Sequence, residues 1–318
     1  MAEHAGLELR YVTALAAVGR ERSFSKAAES LGYTQSAVSQ QIARLERLVG
    51  HRLVERPGGP LPVSLTPAGK VLLRHADAIV ARLASASADL AALADGTAAV
   101  LRIGCYQSVG ARILPNVMRE FSAAWPKVTV ELSEAQDDGE LLGAVERGEL
   151  ELTYVAFPML PGPFSSLELM REPYVVVVRE DSPVGRDGTP VTVDDLTGLP
   201  LVTYAQMREV HSIENRLGRP ELREQIVFRS HDNGTIMGLA AEGIGAAIIS
   251  WLSVDPNRTG VRTMPLAGVN PRIVGIAWHR DRLPNPAAEA FVRISQQVAA
   301  EQQQLLAESM AGAGPGVS

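Results

Sequence analysis

Cysteine is nearly missing from this chain. Cys105 is the single one in 318 residues, so no intrachain disulfide can form, as expected of a cytoplasmic protein. No apolar run approaches the ~18–20 residues that a membrane span needs. The opening MAEHAGLELR carries an early acid and no apolar stretch of signal-peptide length. A cytoplasmic location with no membrane partner is therefore expected. Metal and catalytic signatures are missing too. The six histidines, His4, His51, His75, His211, His231 and His279, are scattered, with no HExxH or Cys/His spacing. There is no GxSxG elbow, no phosphate-cradling loop and no recognisable nucleophile–base pair. No metal, no cofactor and no enzymatic activity are expected. Gly243-Ile244-Gly245 resembles half of a dinucleotide loop, but it follows a helical stretch and precedes a strand-like one. That reverses the order the motif requires, and the spacing predicts a helix-ending turn.

What is present is enough apolar sequence, 46% with 21% charged residues, to build two or three cores. Charge is unevenly placed. Residues 1–70 hold 9 Lys+Arg against 6 Asp+Glu, whereas the whole chain has a net charge of −6. A mildly basic N-terminal module on an acidic body suits a protein of which only one end meets phosphate.

Within that module, RSFSKAAESLGYTQSAVSQQIARLERLVG (Arg22 to Gly50) reads as two helices about a tight turn. The first runs from Ser25, its expected N-cap, to Leu31, with Ala27-Ala28 allowing close packing. Gly32 ends it. Thr34 caps the second, in which Val38, Ile42, Leu45 and Val49 form one apolar stripe. The opposite face carries Gln35, Ser36, Ser39, Gln40 and Arg44. Short amides and hydroxyls at a helix N-terminus can reach base edges in the major groove. The same face could also be the solvated side of an ordinary three-helix core, with Leu9, Val12, Leu15 and Ala16 on a helix behind it. The segment resembles the winged helix-turn-helix of LysR-type transcriptional regulators, in which an Ala-Ala pair precedes a turn and a helix of the form TQSAVSQQIARLE. The resemblance implies duplex DNA as partner. The expected contacts are Ser25, Gln35, Ser36, Ala37, Ser39, Gln40 and Arg44, with Arg56 on a two-stranded wing near the backbone. The wing departs from the family pattern: it is about two residues longer and places Pro60, Leu61, Pro62 and Ser64 where cations are common. Fewer cations mean fewer phosphate contacts and a shallower salt dependence.

Thr66-Pro67 is a strong helix start. The helix is expected to reach Asp95-Gly96, ~44 Å at 1.5 Å per residue. Leu72, Ala76, Ile79, Leu83, Ala86, Leu90 and Leu93 repeat at alternating spacings of four and three. The seam predicts pairing of two copies, which would space two recognition helices over two half-sites; packing on its own domain is the alternative.

From residue 99 the pattern alternates strands and helices. Strands are predicted at Val100–Cys105, Val128–Leu132, Leu150–Ala156, Tyr174–Arg179, Leu199–Tyr204, Ile226–Arg229, Gly245–Ser250 and Ile273–Trp278. Helices are predicted at Ala111–Ala124, Glu140–Glu146 and Thr235–Ala241, which argues an α/β class. The resemblance implies a two-lobed domain similar to periplasmic solute-binding proteins. The expected organisation is a winged helix-turn-helix over 1–65, a linker helix over 66–96 and an effector domain over 97–308. Lobe I would take about 100–160 and 267–305, and lobe II about 161–266, before a disordered tail at 309–318.

Ligands of open α/β sheets sit beyond the carboxyl ends of strands, facing helix starts. That places Tyr106, Gln107 and Ser108 of one lobe against Thr203, Tyr204, Asn233, Gly234 and Thr235 of the other. Ser108 reads equally as a plain N-cap or a ligand contact, and the resemblance favours the ligand. Beside it, Cys105 reads as a buried structural thiol, because a sensor would have no resolving partner. The expected function is a DNA-binding transcriptional regulator controlled by a small anionic effector. Its operator would carry inverted-repeat half-sites, and the homodimer would assemble to a homotetramer. A solute-binding module with assembly helices, or an α/β enzyme with an appended helix-turn-helix, are the alternatives.

Overall fold

The computed structural model describes residues 6–55, 63–95, 100–186, 189–205, 208–282 and 285–312. The chain divides near residue 99 into two compact units.

In the N-terminal unit, α1 (Leu9–Glu21), α2 (Phe24–Leu31) and α3 (Gln35–Val49) precede a two-stranded antiparallel wing, β1 (Val54–Glu55) and β2 (Ser64–Leu65), and then α4 (Pro67–Asp95). Local chemistry sets most of these boundaries. Thr34 Oγ1 accepts the Ala37 N–H at 3.2 Å and Thr66 Oγ1 accepts the Gly69 N–H at 3.0 Å, satisfying donors that a helix start leaves unpaired. Gly32 closes α2 at φ 69°. Ser23, not Ser25, caps α2: its Oγ accepts the Lys26 N–H at 3.4 Å. Both serines suit the role, and the helix begins one residue earlier than expected because Phe24 packs into the core. That core joins Val12, Leu15, Ala27, Ala28, Val38, Ile42 and Leu45.

The seam of α4 is divided. Ala76, only 1% exposed, belongs to this unit's own core and is not free to face a partner as expected, and partly buried Leu72 packs against the same core. A heptad stripe cannot distinguish a helix of its own domain from a second copy, and here α1 takes the first turns. Ile79 (43%), Leu83 (49%) and Ala86 are exposed. The side chains of Leu90 and Leu93, and all of Arg56 and Pro60 to Pro62, lie outside the described residues.

The second unit contains two sheets. The chain runs through β3 (Val100–Cys105), α5 (Gln107–Arg112), α6 (Leu114–Ala124), β4 (Thr129–Glu134), α7 (Asp138–Arg147), β5 (Leu152–Phe157) and β6 (Phe164–Glu172). It crosses at Pro173 into β7 (Tyr174–Arg179), β8 (Val191–Thr192), β9 (Leu201–Tyr204), α8 (Ile213–Arg216), β10 (Ile226–Ser230), α9 (Asn233–Ala241), β11 (Ala246–Ser250) and β12 (Val261–Ala267). It returns through β13 (Arg272–His279) and ends in α10 (Pro286–Gly312). The strand orders are β4-β3-β5-β13-β6 and β10-β9-β11-β7-β12-β8.

Three strands, β6, β8 and β12, were not predicted, and one of them moves a boundary. β6 pairs antiparallel with β13 along eight residues, so 164–172 belongs to the first lobe rather than the second. Its sequence FSSLELMRE lacks a clean period-two pattern, and only pairing with a strand about a hundred residues away makes it a strand. Ala111–Ala124 is broken at Ile113 into α5 and α6. At the C-terminus, α10 continues to Gly312, so 309–312, expected in a disordered tail, is helical; AESMA is good helix-forming sequence. Residues 313–318 lie outside the description. The first lobe's core is closed by Phe121 and Phe291, edge to face at 5.3 Å.

Candidate DNA-reading surface and effector cleft

α3 presents Gln35, Ser36, Gln40 and Arg44 fully exposed, and Ala37 and Ser39 half-buried. Its other side is anchored by Val38, Ile42 and Leu45, each at 0% exposure. Ser25, on α2, donates to Gln35 Oε1 at 3.2 Å. Glu46, near the other end of α3, accepts the backbone N–H groups of Leu53 (2.8 Å) and Val54 (3.2 Å), fixing where the wing leaves the helix. The arrangement is a helix start with exposed amides and hydroxyls beside a short hairpin, a geometry that fits a groove and its flanking phosphates.

In the second unit, a cleft of about 590 Å³, open to solvent, lies between the sheets. Of the expected contacts, Tyr106, Gln107, Ser108, Tyr204 and Asn233 line it; Thr203, Gly234 and Thr235 do not. Thr203 is fully buried, its hydroxyl donating to the Ile248 carbonyl at 2.8 Å. The start of α9 is already capped within the protein. Asp232 accepts the Thr235 N–H at 2.6 Å, and Gln107 accepts the Asn233 N–H at 2.9 Å. Gln107, then the Thr235 N–H, hold the exposed Asp232 carboxyl below its ordinary range. The helix start expected to greet an anion thus carries a carboxylate of its own. Ser108 is not an N-cap, since Tyr106 occupies that position in α5.

Sequence reasoning missed Gln136, Asp138, Ala156, Tyr174, His211, His231, Ser253 and Arg272, which also line the cleft. Two clusters dominate. In the first, Arg272 pairs with fully buried Glu172 at 2.6 Å and donates through Nη2 to Ser108 Oγ at 3.0 Å. Burial works against the Arg272 charge, but Glu172, Tyr204 and Tyr174 together outweigh it, and the net direction is upward. Nη1 of Arg272 and the hydroxyl of Tyr174 have no hydrogen-bond partner among the described residues, and neither atom is sealed from the cleft. Burial pushes the Tyr174 hydroxyl up to about 12, so it remains a donor at neutral pH. In the second cluster, Asp138 accepts from Tyr106 on Oδ1, and on Oδ2 from Arg208 at 2.7 Å and His211 at 2.9 Å. His211 Nδ1 lies 2.7 Å from Arg216 Nη2. Nε2 also lies 2.7 Å from Arg208 Nη2, so the ring is held between two guanidinium groups and the Asp138 carboxylate.

Residues 94–300 match the family described as LysR substrate binding domain, and residues 9–70 match the one described as bacterial regulatory helix-turn-helix protein, lysR family. The chain belongs to the LysR family of transcriptional regulators. This LysR-family protein is similar to the probable hydrogen peroxide-inducible genes activator of Mycobacterium avium, at 33% identity over 83% of this chain and 86% of that protein. It is also similar to the HTH-type transcriptional regulator CbbR of Rhodospirillum rubrum, at 32% identity over 79% and 82%. In fold it is similar to full-length CbnR complexed with its target DNA (TM-score 0.66, 19% identity, 92% of this chain and 100% of that one). A full-length OxyR variant from Pseudomonas aeruginosa is similar too, with a TM-score of 0.64 at 20% identity over 91% and 98%.

The LysR-family regulator holds a single cysteine. Its Cys105 is fully buried, and burial, with Glu134 nearby, pushes the thiol up to about 12. No helix among the described residues is long and apolar enough to cross a membrane.

Proposed function

We propose that this regulator reads inverted-repeat half-sites in duplex DNA with Gln35, Ser36, Ser39 and Gln40, Ala37 offering a methyl contact to thymine. Arg44, Ser25 and Arg56 hold the backbone. A small molecule bearing a carboxylate or similar anionic group controls it from the cleft. The observation that carries the effector half of this reading is the Arg272 end of that cleft. There one nitrogen of a charged guanidinium and the Tyr174 hydroxyl have no partner among the described residues, with the Ser108 hydroxyl beside them. Open to the cleft, these donors can exchange water for a ligand's anion, and hydrogen bonds to charged groups are the strong ones. The DNA half is supported by the exposed amide face of α3 and by the DNA-bound state of CbnR, whose fold this chain shares. Pairing through the outer part of α4 is supported by exposed Ile79, Leu83 and Ala86; a homotetramer then follows from contacts between effector domains. An effector shifts the assembly only by binding one arrangement more tightly than the other.

The test is a footprint on DNA flanking the chain's own gene, with and without candidate carboxylates. Protection of two related half-sites, altered by a ligand, is expected. Uniform, sequence-blind binding would refute the reading.

A further inference from the structure

The cleft is not uniformly cationic, and its second cluster narrows the ligand beyond "anion". Resting on the effector reading above, we infer that the ligand is bipolar: a carboxylate at the Arg272 end and a hydroxyl or ammonium donor directed at Asp138. The two ends differ in what they leave unmet. At one, Arg272 Nη1 and the Tyr174 hydroxyl are donors without partners among the described residues, and Ser108, which accepts from Arg272 at 3.0 Å, keeps its own hydrogen to give. At the other, Asp138 presents acceptors. An ionised carboxylate has about four lone-pair positions. Oδ2 takes the donors from Arg208 and His211, and Oδ1 takes only the Tyr106 hydroxyl. One position on Oδ1 therefore has no donor among the described residues, on a side chain that lines the cleft.

Hydrogen-bonding capacity fixes the orientation. Asp138 is ion-paired with Arg208 at 2.7 Å, but its open Oδ1 position is an acceptor, and a ligand carboxylate turned toward it would set acceptor against acceptor. Turned toward Arg272 it meets the guanidinium, while Glu172, the counter-charge, is fully buried behind it. The cleft should thus reject a second carboxylate placed near the first and reward a donor in that position, since hydrogen bonds to charged groups are the strong ones. Tyr106, Tyr174 and Tyr204 supply the remaining wall, broad enough in character for an apolar or aromatic body.

The experiment is calorimetry on the full-length protein with matched probes on one scaffold. These are 3-phenylpropionate, phenyllactate, phenylalanine, phenylalaninamide and phenylsuccinate, together with the corresponding leucine series. The α-hydroxy or α-amino acid of at least one series should bind ~10-fold or more tightly than its plain carboxylate. The amide and the dicarboxylate should bind more weakly still. Asp138→Asn should erase the preference. Tyr106→Phe, which frees Oδ1 without touching the charge, should retain or enlarge the preference, and it provides the readout if the Asn variant fails to fold. Equal binding of plain and α-substituted carboxylates, or tighter binding of the dicarboxylate, overturns the bipolar inference while leaving an anionic effector intact. Carboxylate-blind binding, or no binding by any probe, overturns the effector reading itself and this inference with it.

Discussion

Ser25 Oγ donates to Gln35 Oε1 at 3.2 Å, tying the first turn of α2 to the first residue of α3. The bond joins two residues ten apart and orients the amide that leads the proposed recognition surface. With its oxygen held by Ser25, Gln35 directs its NH₂ outward. Gln35→Ala should weaken binding to the operator by ~1–3 kcal/mol and leave binding to random DNA unchanged. Ser25→Ala should lose less, since the amide survives and loses only its orientation. Anisotropy titrations on operator and scrambled duplexes at several salt concentrations measure both. Equal losses on both duplexes would mean that Gln35 makes no base contact.

Local chemistry explains why this part of the molecule was readable in sequence. Thr34, Gly32 and Thr66 act on neighbours three or four residues away, and their roles follow from type and position alone. The capping of α2 was missed by two residues because Ser23 and Ser25 are locally equivalent until Phe24 is placed in the core. Features that depend on distant pairing were opaque. β6 and β12 become strands only against β13 and β7. Asp138 and His211, 73 residues apart, have no shared pattern until two lobes meet. Arg272 offered a faint signal, a single cation opening the apolar strand IVGIAW, and it went unread because a strand's first residue is so often just exposed.

Cys105 should be chemically silent in the folded protein. Its thiol is fully buried and pushed up to about 12 by burial, and only the thiolate is a good nucleophile. With the folded value above the ordinary one, raising the pH from 7 to 9 should create little native thiolate. A small thiol reagent should therefore label the chain at the rate of opening, with nearly complete labelling on addition of urea. Rapid, pH-dependent labelling of native protein, with a midpoint near that of a free thiol, would contradict the burial argument.

Arg272 and Glu172 test the cost of a buried charge. Arg272→Met strips the partner from a carboxyl at 0% exposure, and breaking such a pair typically costs ~3–5 kcal/mol. The double variant Arg272→Met/Glu172→Leu should recover much of that loss. The pH trend follows from burial, which raises the Glu172 carboxyl above its ordinary range against the pull of Arg272. A raised acid binds more protons in the native state than in the unfolded one, so its contribution falls as pH rises through the folded value. Without Arg272 burial is opposed only by the Leu252 N–H and Arg112, so Arg272→Met should lose more stability than the wild type between pH 5 and pH 8. Urea midpoints at the two pH values measure the difference, and parallel curves would show that Glu172 is not what the variant exposes.

The divided seam of α4 separates folding from association in two substitutions seven residues apart. Ala76, at 1% exposure, has no room for a larger side chain against α1, and Ala76→Leu should destabilise the N-terminal unit by ~1–3 kcal/mol through overpacking. Leu83, at 49% exposure, has no such neighbours to strain, so Leu83→Arg should leave the urea midpoint of that unit nearly unchanged. If the outer stripe is buried between two copies, the same arginine desolvates a charge at the pairing surface, and self-association should weaken by at least about tenfold, a loss of ~1.4 kcal/mol or more. Sedimentation velocity over a concentration series reads the second effect independently of the first. An unchanged association constant for Leu83→Arg, with a clear loss for Ala76→Leu, would mean that pairing runs through the core-facing stripe after all, and that the exposure of Ile79 and Leu83 has another cause.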